Sequence, residues 1–322
     1  MIRETGACFR GHAPALGQLP AGALDKGGRI NIFAAAVKNA KLARRRVVGW
    51  FVLLAAFLPL AGCETATNIM GKQGTGVAEV ANQSPQEAEA NLASLTDVIR
   101  RNPASAEAYG TRGVAYARIG KFQEAIADFS QSIKLAPGNA ASLTNRALAY
   151  RQINRNDAAL ADFNAAVAAD PNHAPAYLGR ANLLRVQGKL DEARADLDQA
   201  IKLNPENAQA FHARGLIYQR EGLHEQAITD FDNAIDRDPF AAAPYQARGQ
   251  SLLAIGKSDK AIEDFNAALN VDNKNAEAWA GLGLAYEKSG NRAKAIESYQ
   301  RALAFDPNSQ TAREGVARIG RV

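Results

Sequence analysis

Between residues 106 and 309 the apolar positions of the chain return every 34 residues. A large apolar side chain opens each period: Tyr109, Leu143, Tyr177, Phe211, Tyr245 and Trp279. A small one follows four residues later (Gly113, Ala147, Ala181, Gly215, Gly249, Gly283), and then Tyr116, Tyr150, Leu184, Tyr218, Leu252 and Tyr286. The second half of the period carries Ala125, Ala159, Ala193, Ala227, Ala261 and Ala295, and four residues on Phe129, Phe163, Leu197, Phe231, Phe265 and Tyr299. Spacings of three and four place these side chains on one stripe of a helix, so each period predicts two helices. Between them stand Gly120, Asn154, Gly188, Gly222, Gly256 and Gly290, residue types that tolerate the left-handed conformation closing a helix. Pro103, Pro137, Pro171, Pro205, Pro239 and Pro307 stop the second helices, because the ring removes an amide donor and clashes with the preceding turn.

A 34-residue helix–turn–helix period with these signature residues resembles the tetratricopeptide repeat, or TPR. The resemblance covers six contiguous units: 106–139, 140–173, 174–207, 208–241, 242–275 and 276–309. It implies an all-α solenoid, a right-handed superhelix of helix pairs whose first helices line a concave groove. No pair buries its apolar face alone, so stacking supplies the core and both ends need caps. Residues 85–105 supply an N-terminal half-repeat with Leu92, Leu95, Val98 and Ile99 on one face. Residues 310–322 supply a C-terminal helix with Ala312, Val316 and Ile319 facing inward and Arg313, Glu314, Arg318 and Arg321 facing water.

One pattern departs from the usual repeat. Arg112, Arg146, Arg180, Arg214 and Arg248 stand where Leu is usual, and sixteen residues after each comes Asp128, Asp162, Asp196, Asp230 or Asp264. In the sixth unit both change together, to Leu282 and Ser298. Joint variation points to contact, and a ladder of Arg–carboxylate pairs locking the two helices is expected. The functional alternative makes the five arginines ligand anchors.

The N-terminal segment has a different character. Residues 47–60 form an apolar run of 14, preceded by Lys38, Lys41, Arg44, Arg45 and Arg46. A basic region, a short apolar run and a small-residue end make a secretory signal. The run ends in Leu60-Ala61-Gly62-Cys63, which resembles the lipobox of bacterial lipoproteins. That resemblance implies acylation of Cys63 and removal of residues 1–62. Glu64 in place of Asp favours sorting to the outer membrane, facing the periplasm. Residues 64–84 are polar and rich in Gly, Thr and Asn, and read as a tether after the lipidated Cys. Residues 1–36 show no clear period, and the expectation is that translation starts later, for example at Val37.

Composition changes its meaning once this leader is set apart. The whole chain carries +5, which suggests an acidic partner such as nucleic acid. Residues 1–62 hold nine Lys/Arg and two Asp/Glu, leaving 29 basic and 31 acidic residues, a net of −2, for the mature chain. A nucleic-acid partner thereby loses its electrostatic support. Two cysteines, Cys8 and Cys63, make neither a disulfide framework nor a structural zinc site. His224-Glu225 lacks the second His of a zinc-protease helix, and no G-x-S-x-G, S-x-x-K or Cys–His pair occurs. No catalytic residue, cofactor or metal is assigned.

Binding remains. The resemblance places the site on the first helices. Of the groove residues expected for a chaperone-tail clamp, only Asn182 matches. Arg118, Arg151, Arg185 and Arg220 fall on successive units and predict a basic stripe beside Leu148, Leu178, Leu216, His212 and Gln250. Such a surface suits an acidic or C-terminal peptide segment; the alternative is solvated arginine at helix C-termini, where the dipole favours positive charge. The expected function is a membrane-anchored periplasmic adaptor that scaffolds the cell envelope through protein or peptide partners. A self-associating structural envelope protein, or an assembly factor for a pilus or secretion system, stands as the alternative.

Overall fold

A computed structural model describes residues 84–320. The leader, Cys63 and nearly all of the tether lie outside the described residues. Fourteen helices follow one another, and among the described residues there is no strand: α1 (Pro85–Arg101), α2 (Ala106–Arg118), α3 (Phe122–Leu135), α4 (Ala140–Gln152), α5 (Asn156–Ala169), α6 (Ala174–Val186), α7 (Leu190–Leu203), α8 (Ala208–Arg220), α9 (His224–Arg237), α10 (Ala242–Ala254), α11 (Ser258–Val271), α12 (Ala276–Lys288), α13 (Arg292–Phe305) and α14 (Gln310–Gly320). From α2 to α13 every helix start and end recurs after 34 residues. No helix among the described residues is long and apolar enough to cross a membrane.

Local chemistry sets this regularity. Ser105, Asn139, Asn207 and Asn275 accept from the first-turn amides of α2, α4, α8 and α12 and start those helices. Each first helix then ends in a left-handed residue; Asn154 takes the place of glycine there with φ of 59°. Asparagine is the side chain that tolerates this conformation best. The residue after it closes the turn, as when Lys189 N–H donates to the Leu184 carbonyl at 3.0 Å.

Each helix packs on its pair mate and on the next pair. Consecutive first helices (α2, α4, α6, α8, α10, α12, α14) touch one another, whereas consecutive second helices do not. The row of first helices is therefore the tighter, inner side of the solenoid.

The large side chain of each second helix fills the space between units, and glycines or alanines beside it make room. A Cβ on Gly179 would lie 2.3 Å from the Phe163 ring, one on Gly283 would lie 2.6 Å from Tyr299, and one on Gly315 would lie 2.3 Å from the same tyrosine. In the third unit the ring is replaced by Leu197, and the flanking residues are Ala181 and Ala213, all buried. Ring size and flank size vary together because interiors are packed to near-crystalline density.

The caps differ from each other. Ser84 and Glu87 form a capping box that starts α1. Ile99 and Ala88 of this helix are buried, but Val98, expected on the same apolar face, is 47% exposed. The reason is that, among the described helices, α1 packs only against α2, which covers part of its stripe. At the other end Ala312, Gly315 and Ile319 of α14 are buried against α13 and α12. Glu287 on α12 holds α14 by accepting from Arg318 at 2.6 Å and from the Tyr299 hydroxyl at 2.7 Å.

Candidate partner-binding site on the first helices

Two sets of arginines line the first helices, and the structure treats them differently. In the first set, Arg112, Arg146, Arg180, Arg214 and Arg248 each donate through Nε and Nη2 to both carboxylate oxygens of Asp128, Asp162, Asp196, Asp230 and Asp264, at 2.6–2.8 Å. These forks tie first helix to second helix within a unit. Nη1 reaches back to the preceding unit, to Thr96, Ser130, Asn164, Asp198 and Asp232 in turn, at 2.6–3.1 Å. Each guanidinium also stands 5.7–5.9 Å from an aromatic ring of its own helix, as Arg112 does between Tyr109 and Tyr116. The donors of this set are directed at the protein's own acceptors.

The link to the preceding unit was missed in the sequence, although a signal for it exists. A polar residue stands two positions after each of the five ladder aspartates: Ser130, Asn164, Asp198, Asp232 and Asn266. In the sixth unit the arrangement dissolves together. Leu282 is buried, Ser298 bonds the Lys294 carbonyl at 2.8 Å, and Asn266, left without an arginine, bonds its own helix at Ile262.

The second set lies in the last turn of the first helices. Arg151 on α4 and Arg185 on α6 occupy equivalent positions, and Arg220 lies one residue further along α8. Neither these three nor Arg118 forms an ion pair among the described residues. Arg151 and Arg185 are half-buried, whereas Arg118 and Arg220 are exposed. Burial lowers the pKa of Arg151, and the charge of Arg185 lowers it further; burial and then the charge of Arg220 do the same to Arg185. The buried Nε of Arg185 and the buried Oγ1 of Thr144 have no hydrogen-bond partner. Unpaired buried donors and like charges held close are both costly.

The same last-turn position is satisfied in the later units. Gln219 donates to the Ala247 carbonyl at 2.9 Å and to Ser251 Oγ at 3.0 Å. Leu253 is buried, and Glu287 is paired with Arg318. The open donors are thus concentrated on α4 and α6, with Arg220 of α8 beside them.

The other expected groove residues divide. Asn182 is partly buried one turn before Arg185, and Leu148 and Leu216 are partly buried against the Phe163 and Phe231 clusters. Leu178 does not line the groove. It is 7% exposed and packs in the core with Leu184, Leu197 and Ile217. Its position lies at the seam between consecutive first helices, where Thr144 and Ala280 are buried too. Gln250 is exposed and borders a cavity of about 600 Å³, lined also by Leu253, Leu284, Glu277 and Lys288, at the far end of the inner face.

His212 on α8 shares that seam, with its ring 5.8 Å from Phe231. Burial, and then the charge of Arg185, press its pKa down from 6.5 to about 4. The folded state therefore holds it neutral, while the unfolded chain takes up a proton below pH 6.5. Stability from this group is full above pH 6.5, falls between 6.5 and about 4, and levels off below. His212→Gln is expected to flatten that part of the profile. Thermal melting of both proteins between pH 7 and pH 4 checks it, and equal losses of Tm would assign the effect to other groups.

Chemically, this face offers donors and positive charge but no nucleophile–base pair in the groove. Among the described residues no three His, Cys, Asp or Glu side chains converge as a metal site.

Comparisons with known proteins agree with this architecture. A family model described as tetratricopeptide repeat matches residues 74–140, 111–174, 144–197 and 247–310. A second, described as TPR repeat, matches 181–222, and a third, again a tetratricopeptide repeat, matches 208–240. No curated protein matches significantly in sequence. Among solved structures, the APC/C hetero-tetramer Cut9-Hcn1 is similar with a TM-score of 0.63 and 21% identity. The match covers 72% of this chain and 46% of that one, so this chain spans about half the length of its counterpart. YrrB, described as a TPR protein with an unusual peptide-binding site, gives 0.51 and 24% identity over 59% of this chain and 97% of that one. PilW, described as a widely conserved type IV pilus biogenesis factor, gives 0.59 and 18% identity over 65% and 97%. At these identities the likeness is one of fold.

Proposed function

The chain belongs to the tetratricopeptide-repeat family, and from that premise we propose that it is a non-catalytic adaptor that receives a segment of a partner protein on the inner face of its first helices. One observation carries the reading: Arg151 and Arg185 are half-buried there and pair with no acceptor of the described residues, while the other long polar residues at their position, Gln219 and Glu287, are satisfied within the fold. The free protein is left with donors that a bound segment would satisfy. The peptide-binding site named for YrrB lends this reading support by analogy.

The adaptor is held at the envelope by a lipid on Cys63 and faces the periplasm from the outer membrane. The apolar run ending in Leu60-Ala61-Gly62-Cys63 and the Glu that follows support this. The likeness to PilW keeps an assembly role for a pilus or secretion system in view, alongside self-association through the solenoid ends.

A photo-crosslinking amino acid tests the groove directly. Val186, 71% exposed beside Arg185, is one site, and the exposed Lys202 of α7 on the outer row is the control. Adducts with a defined partner are expected from position 186 and not from 202. Adducts between copies of the chain alone would favour the structural reading, and equal adducts from both positions would remove the groove. For the anchor, Cys63→Ser is expected to move the protein from the membrane fraction to the soluble one.

A further inference from the structure

The unpaired arginines are spaced as well as open. Arg151, Arg185 and Arg220 lie one to a unit on three consecutive first helices, near the same end of each. Packed helices stand about 8–10 Å apart. A chain in the extended polyproline II conformation advances about 3.1 Å per residue with three residues per turn, so every third side chain faces the same way and about three residues span one unit. We propose that these three arginines read an extended acidic segment of a partner protein that carries a carboxylate at about every third residue. The proposal rests on the adaptor reading and names the chemistry of its ligand.

Three features select this ligand. The first is sign: no carboxylate of the described chain pairs with any of the three, and Arg185 feels the positive charge of Arg220 rather than a counter-ion. The second is unmet bonding. Arg151 and Arg185 make no ion pair within the described residues, and their half-exposed guanidiniums are donors that a carboxylate can accept from. The third is access. Arg151 and Arg185 are half-buried on the inner row and Arg220 is exposed beside them, so a single extended strand can follow all three. Asn182, one turn before Arg185, offers an amide to the backbone of such a strand.

The arrangement has a cost in the free protein that distinguishes it from a structural role. The ladder arginines strengthen the fold, whereas Arg185 is repelled by its neighbour and lacks an acceptor. Removing it relieves both, as happens where binding groups are held against stability. Arg185→Gln and Arg151→Gln/Arg185→Gln are expected to raise Tm or leave it unchanged.

The test uses the purified full chain and three blocked seven-residue peptides, titrated calorimetrically at low salt. In the first peptide Asp stands at positions one, four and seven, with Ala and Leu between. In the second the three Asp are adjacent, and in the third they are replaced by Asn. The first is expected to bind, the third about tenfold more weakly or worse, and Arg151→Gln/Arg185→Gln to weaken the first about tenfold or more without lowering Tm. Equal binding of the first two peptides would overturn the spacing. Undiminished binding by the double variant, or a lowered Tm, would overturn the stripe. Binding to vesicles of anionic lipid that is lost in the same variant would reassign the stripe to a membrane. If position 186 still crosslinks to a partner while no acidic peptide binds, the adaptor reading stands and this proposal falls alone.

Discussion

Arg180→Leu is expected to cost about 3 kcal/mol, toward the lower end of what breaking a buried ion pair removes. The Arg180 fork reaches both oxygens of Asp196 at 2.7 Å, and Asp196 is 7% exposed. Without the guanidinium this carboxylate remains buried without its counter-charge. The figure sits at the lower end because the Arg180 side chain keeps 21% of its exposure, so water screens part of the loss. Arg180→Leu/Asp196→Leu is expected to recover most of the stability. The protein already contains the precedent, since the sixth unit packs a buried Leu282 where the arginine would be and dispenses with the aspartate. The recovery will be partial because Asn164 also loses its bond to Arg180. Urea denaturation of the wild type, both single variants and the double variant measures the coupling. A double variant no better tolerated than either single one would show that the ladder is contact without energetic linkage. Because each unit contacts only its neighbours, hydrogen exchange should place the damage in α6 and α7 and the units beside them.

The second large effect concerns packing. Gly179→Ala places a methyl group 2.3 Å from the Phe163 ring, so the ring or the helix must move. Overpacking of this kind costs about 1–3 kcal/mol. In a Phe163→Leu background the same substitution is expected to cost little, because the third unit already combines Leu197 with Ala181 and Ala213. Strict additivity of the two changes would show that the ring and the glycine are not matched to each other.

Much of this was legible in the sequence. Capping residues, left-handed turns, helix-stopping prolines and the apolar stripes are local features with spacings of a few residues, and a 34-residue period repeats them six times. The Arg–Asp pairs were legible for another reason: Leu282 and Ser298 changed together and revealed a contact sixteen residues apart. Val98 and Leu178 were misplaced for one shared reason. Each lies on an apolar stripe, but how much of a stripe is covered depends on how many neighbours a helix has. Among the described helices α1 has one neighbour and exposes Val98; α6 meets helices of both adjacent units and buries Leu178.

The amino-acid sequence by itself determined the period, the helices, their turns and the family, because these follow from residues near one another along the chain. The tertiary structure decided which arginines are free. Arg146 and Arg151 lie five residues apart on one helix, with the same charge and reach, yet one meets Asp162 and Ser130 while the other meets no acceptor. That difference arises from packing, because the unit's own second helix and that of the preceding unit bring acceptors to one turn of the first helix and none to the next.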